Sequence, residues 1–67
     1  MKIMVNGEKK MIADGATIKK MLGEIFKSET GHMAVAVNLN FVPRSEYEAF
    51  ALKEGDDVEV VSPQAGG

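Results

Sequence analysis

Ile18, Met21, Leu22, Ile25 and Phe26 recur at i, i+3, i+4, i+7 and i+8, one continuous apolar stripe at helical spacing. Lys19, Lys20, Gly23, Glu24 and Lys27 lie off that stripe. The chain holds one helix of this kind, so the stripe needs a sheet to lie on. Asp14-Gly15-Ala16 reads as a turn, and Thr17 is placed to cap the helix, its hydroxyl accepting an otherwise orphaned backbone N–H. Gly23 costs this helix about 1 kcal/mol relative to alanine, so packing rather than propensity must hold it.

The sheet is read from alternation and turns. Asn6-Gly7 between Lys2–Val5 and Glu8–Ala13 is a strong hairpin signal, because a type I′ turn needs two residues that tolerate positive φ. Ala34–Leu39 alternates, with Val35, Val37 and Leu39 on one face and Ala34, Ala36 and Asn38 on the other. Asn38-Leu39-Asn40 turns the chain into Phe41-Val42, which Pro43 ends. Arg44–Tyr47 reads as a helical turn leading to Phe50 and Leu52, which would cap one end of the core. Lys53–Asp57 is a further turn before the apolar run Val58–Val61. Lys27–Met33 is polar and ends the helix, with Gly31 a left-handed residue near its exit.

Hairpin, helix, strand, short strand and turn, last strand: this order predicts an α+β domain with the helix on one face of a mixed sheet. The right-handed crossover rule makes the first and last strands parallel neighbours at the centre, the β-grasp topology.

Composition excludes several functions. Sixty-seven residues make one domain, and a chain of this size buries only about 60% of the surface its unfolded form exposes, leaving little room for an enzyme cleft. The absence of cysteine excludes a disulfide framework, a zinc finger and a thiol nucleophile. A net charge of −2 from interspersed acids and bases supplies no footprint for nucleic acid. No apolar run approaches a membrane span and no signal peptide is evident, so the expected location is the cytoplasm. His32 has no second histidine or cysteine and reads as a loop residue. Ser45 with His32 and an aspartate lacks the strand-turn-helix elbow of a nucleophile. The five methionines do not cluster and read as gap-fillers and strand residues.

Two features remain that a core does not explain. The first is the tail, Ser62-Pro63-Gln64-Ala65-Gly66-Gly67. Pro63 has no N–H for a ladder and releases the chain from the sheet, dividing it into a domain, 1–61, and a free tail, 62–67. Six residues reach roughly 20 Å, enough to carry a terminal carboxylate into the active site of another protein. Chain ends commonly fray and a double glycine costs a disordered tail nothing; read functionally instead, Gly66 and Gly67, behind the small Ala65, pass where no larger residue fits, and the chemistry would sit on the α-carboxylate of Gly67. The second is the outer face of the sheet. If Ile3, Val5, Ile12, Val35, Val37, Val58 and Val60 face the helix, alternation puts Met4, Met11, Ala36 and Val61 opposite. A contiguous apolar set beside the root of a reactive tail is what partner docking requires, and methionine can repack against more than one partner.

Val5-Asn6-Gly7-Glu8, the Asp14-Gly15-x-Thr17 approach to the helix, Ala34-Val35-Ala36-Val37-Asn38, Val42-Pro43-Arg44-Ser45-Glu46-Tyr47, Leu52-x-x-Gly55-Asp56-x-Val58-Glu59 and the terminal Gly66-Gly67, taken in order, resemble the ThiS family. Those are ubiquitin-like sulfur carriers of thiamine biosynthesis, and the likeness covers nearly the whole chain. It implies that an E1-like enzyme, using its own ATP and magnesium, adenylates the Gly67 carboxylate. A sulfur donor such as a cysteine desulfurase then supplies sulfur for a thiocarboxylate, which passes it to thiazole synthase. The carrier would be a monomeric co-substrate, with no active site and no bound cofactor. Pro63-Gln64-Ala65 also resembles the small subunit of molybdopterin synthase. Sulfur delivery to molybdopterin, attachment to lysines as a protein modifier, and a plain binding module therefore stay open.

Overall fold

In the computed structural model, which describes residues 1–26 and 33–61, β1 (Lys2–Val5) and β2 (Glu8–Met11) form an antiparallel hairpin. The turn is where Asn6-Gly7 predicts it, with φ of 52° and 83°. The helix α1 (Ile18–Ile25) starts at the predicted cap, the Thr17 hydroxyl accepting the Lys20 N–H at 3.2 Å. After it come β3 (Ala34–Val37), β4 (Asn40–Val42), a 3-10 turn at Arg44–Glu46, and β5 (Asp57–Val61).

The strands form one mixed sheet in the order β2-β1-β5-β3-β4. The first and last strands run parallel, with Met4 beside Asp57 and Val5 beside Val58, as the crossover rule requires. β3 lies antiparallel to both β5 and β4. All seven residues assigned to the helix side, Ile3, Val5, Ile12, Val35, Val37, Val58 and Val60, are buried against Ile18, Met21 and Leu22 in one core. Fully burying an aliphatic side chain is worth about 1.5–3 kcal/mol, so this layer is the main source of stability.

The segment after β4 closes the end of the core at the start of α1. Ala51 bridges Thr17, and the Ile18 and Lys19 amides donate to the Phe50 and Tyr47 carbonyls. Leu52 and Tyr47 are buried there, and the Tyr47 hydroxyl donates to the Met33 carbonyl at 3.0 Å. Phe50 is half-buried against the same core.

Several boundaries differ from the sequence reading. β2 stops at Met11, although Ile12 still exchanges backbone hydrogen bonds with Met1. β3 stops at Val37 because Asn38 and Leu39 take φ of 51° and 71° in the β3–β4 turn. Leu39, assigned to the inner face, is therefore 84% exposed. β5 begins one residue early, at Asp57. Ile25 and Phe26 are only half-buried, so the apolar stripe packs fully over its first half alone. Gly31, His32, the predicted helix end at Lys27 and the tail division at 62–67 lie outside the described residues.

Candidate functional site

Ala65, Gly66 and Gly67 are not among the described residues, so the site is approached from its root. β5 carries the chain to Val61 through the middle of the sheet. Val60 stands opposite Val35, and Val61 opposite Ala34, so the strand is paired to its last residue. Everything after Val61 starts from a point that the core defines.

The outer face is open, and register gives its layout. Met4 is half-buried between Lys9 of β2 and Asp57 of β5. Met11, 72% exposed, stands opposite Lys2, at the end of the sheet where β5 begins. Ala36 is half-buried between Glu59 and Phe41, and Val61 is 63% exposed beside Ala34. Met4, Met11, Ala36 and Val61 thus all face away from the helix but do not form one patch. Lys2, Lys9, Asp57 and Glu59 share their face, and Met11 lies about six residues, or roughly 20 Å, along the strand direction from Val61.

What the structure does bring together is Ala34, Ala36, Phe41 and Val61, an apolar corner at the root of the tail. Phe41, 70% exposed, is the member that the sequence reading did not assign. Its signal was the dipeptide itself: with Val42 buried opposite Val35, alternation must turn Phe41 outward, onto the face of Ala36.

Two clefts lie elsewhere. One, lined by Thr17, Lys19, Lys20, Gly23, Glu24 and Glu48, opens on the solvent side of α1. Its ion pair, Lys19 to Glu48 at 2.7 Å, holds the Glu48 carboxyl below its ordinary value through a hydrogen bond and charge. The other runs between the β1–β2 hairpin and the end of α1, lined by Val5, Asn6, Glu8, Lys10, Ile25 and Phe26. Among the described residues no group of three His, Cys, Asp or Glu side chains is arranged to hold a metal ion. Ser45 stands exposed on the 3-10 turn, and His32 lies outside the described residues. No helix among the described residues is long and apolar enough to cross a membrane.

A mixed five-stranded sheet with β1 and β5 parallel at its centre and one helix on one face is matched by what this chain is similar to. A model of the ThiS family matches residues 3–67. The chain belongs to the ThiS family. A sulfur carrier protein ThiS from Escherichia coli is 28% identical over 67 residues, which is the whole of both chains. A thiazole synthase from Paramagnetospirillum magneticum is 36% identical over the same 67 residues, although the chain spans only 20% of that protein's length. A crystal structure of a thiamine biosynthesis protein, ThiS, from Geobacter metallireducens matches with a TM-score of 0.85 at 25% identity, covering 100% of both chains. A solution structure from the same organism gives 0.81 at 26% identity, over 100% of this chain and 88% of that one. The β-grasp topology predicted from element order is therefore that of solved ThiS proteins.

Proposed function

We propose that this chain is a sulfur carrier that delivers sulfur to thiazole synthase in thiamine biosynthesis, with the α-carboxylate of Gly67 as the attachment point. The observation that carries this reading is that the ThiS match extends through Gly67, so the terminal Gly66-Gly67 is part of the family pattern. The full-length likeness to a sulfur carrier supports the activity. The thiazole synthase with a segment similar to this chain supports the acceptor.

A carboxylate is a poor electrophile, and the described residues offer nothing to activate it. An E1-like enzyme therefore uses ATP: a Gly67 carboxylate oxygen attacks the α-phosphorus, pyrophosphate leaves, and an acyl-adenylate forms. The persulfide of a donor such as a cysteine desulfurase then displaces AMP at the carbonyl carbon to give an acyl disulfide, and a thiol attacking its donor-side sulfur releases the thiocarboxylate as a new disulfide forms. ATP and magnesium belong to the activating enzyme; the carrier binds no cofactor and acts as co-substrate rather than catalyst. Its own residues supply a folded handle, a thin tail through Ala65 and Gly66, and a docking face that includes Ala36 and Val61, with Met4 and Met11 outside the apolar corner.

Intact mass tests this after incubation with ATP, the activating enzyme and a sulfur donor. The expected product carries an oxygen-to-sulfur exchange, and added thiazole synthase with its substrates reverses it. Gly66→Leu abolishes the exchange while leaving the melting temperature unchanged, because no core residue is touched. Normal thiocarboxylation of Gly66→Leu would refute the threading argument. Lysine-linked adducts instead of exchange would make the chain a protein modifier.

A further inference from the structure

β1 ends at Val5, where Asn6 takes φ of 52° and turns the backbone into the hairpin. β5 runs on past that level to Val61, and the peptide groups of Val60 on the β1 side have no strand beside them. Left so, they would forgo hydrogen bonds that a ladder supplies. Asn6 provides the missing rung. Its backbone N–H donates to the Val58 carbonyl at 2.9 Å, closing the β1–β5 ladder. Its side-chain Nδ2 then donates to the Val60 carbonyl at 3.1 Å, while Oδ1 accepts the Val60 N–H at 2.8 Å. A primary amide presents one acceptor and a donor as a peptide unit does, and one orientation alone satisfies both contacts.

The turn does not require this amide. Glycine occupies positive φ at no steric cost, and aspartate tolerates it, but glycine offers nothing to Val60 and aspartate can only accept. The side chain of Asn6 is thus spent on β5. With β3 on the other flank through Val60–Val35 and Val61–Ala34, the strand is held from both sides up to the residue before Val61.

We infer that Asn6 is a positioning residue for the reactive tail: its amide clamp on Val60 fixes the point and direction from which residues 62–67 leave the sheet. The inference rests on the carrier reading above. A short tether concentrates its end at a target only as well as its origin is fixed, and loosening the origin lowers the effective concentration of the Gly67 carboxylate at the activating site. That loss falls on turnover in the docked complex rather than on docking. Ala34, Ala36 and Phe41 of the apolar corner stand on β3 and β4, across β5 from the clamp, and stay in place.

The test is Asn6→Gly, which keeps the turn and deletes the clamp, assayed for pyrophosphate release by the activating enzyme at varied carrier concentration, well below the melting transition. The expected result is a kcat lowered about fivefold with KM for the carrier within about twofold. Exchange of the Val60 amide hydrogen should also accelerate about tenfold. Asn6→Asp, which retains the acceptor, moves kcat in the same direction by less, and it serves alone if the glycine variant does not fold. Unchanged kcat in both variants, or a raised KM at unchanged kcat, overturns the inference and leaves the carrier reading standing. Failure of the unaltered chain to be adenylated at all overturns the carrier reading, and the inference with it.

Discussion

Two turns of the same kind show what a single side chain costs and contributes. Asn6-Gly7 and Asn38-Leu39 both place two consecutive residues at positive φ, at 52° and 83° in the first and 51° and 71° in the second. Glycine fills the second position of one, and leucine, 84% exposed, that of the other. A left-handed conformation costs a residue with a Cβ roughly 1–2 kcal/mol, and exposure means that Leu39 recovers almost none of it by packing. Leu39→Gly is therefore expected to stabilise the fold by about 1 kcal/mol, read as a higher urea midpoint at unchanged slope. An unchanged midpoint would mean that the leucine makes contacts which offset its strain. The two asparagines diverge as well. Asn6 clamps Val60, whereas Asn38 donates to the buried Asp56 carboxylate at 3.1 Å and accepts the Asp57 N–H at 3.0 Å, tying the β3–β4 turn to the start of β5.

At the scale of elements, the segment between β4 and β5 is held to the sheet by Tyr47. Its ring is buried, and its hydroxyl reaches the Met33 carbonyl just before β3. Burial raises its pKa above the ordinary value, against smaller opposing effects of a Val35 backbone hydrogen bond and the Arg44 charge. The folded chain thus holds the phenolic proton more tightly than the unfolded one does. Stability from this group is complete below the unfolded pKa of about 10 and is lost as pH rises from there through the raised folded value. The chain has one tyrosine, so phenolate absorbance reports it directly, and Tyr47→Phe should remove this part of the alkaline loss. A phenolate titrating at the ordinary value in the folded protein would overturn the assignment. Much of this architecture was legible beforehand. The first half of the helix stripe, the Thr17 cap, the Asn6-Gly7 turn and the alternation of β1, of β3 up to Val37 and of β5 are local signals, and these appear where the sequence puts them. Leu39 was misplaced because alternation was carried one step into the Asn38-Leu39-Asn40 turn, which the sequence itself signals. The second role of Asn6 depends on a contact with Val60, 54 residues away, which no local window encodes, whereas the outward turn of Phe41 was readable from the β3–β4 hairpin and went unassigned. The end of β5 was read to the residue, at Val61 ahead of Pro63, whereas the side chain that holds Val60 from the β1 side was not.

The whole molecule is two-layered, with α1 covering one side of the sheet and nothing in the described chain covering the other. That open side is unequal along its length. Toward the start of β5 the apolar side chains Met4 and Met11 are interrupted by Lys2, Lys9 and Asp57. Toward its end Ala34, Ala36, Phe41 and Val61 adjoin, with Glu59 at their border. On the proposed carrier function, Gly67 enters an active site about one tail length away, and contacts near Val61 then constrain the reacting end more than distant ones do. Exposed aromatics at the centre of an apolar patch are also the usual anchors of a protein interface. Phe41→Glu and Val61→Glu should each weaken binding to the activating enzyme about tenfold or more, or about 1.4 kcal/mol, whereas Met11→Glu stays within about twofold. All three side chains project to solvent from the sheet, and charges are tolerated on an edge strand such as β4, so near-native melting temperatures are expected throughout. Calorimetric titration of each variant separates the outcomes. Weakened binding confined to Phe41 and Val61 places the interface at the tail root. An equal loss in Met11→Glu would extend it across the whole open face, and undiminished binding in all three would move docking onto the helix side, where the cleft around Gly23 and the one between the hairpin and the end of α1 both open.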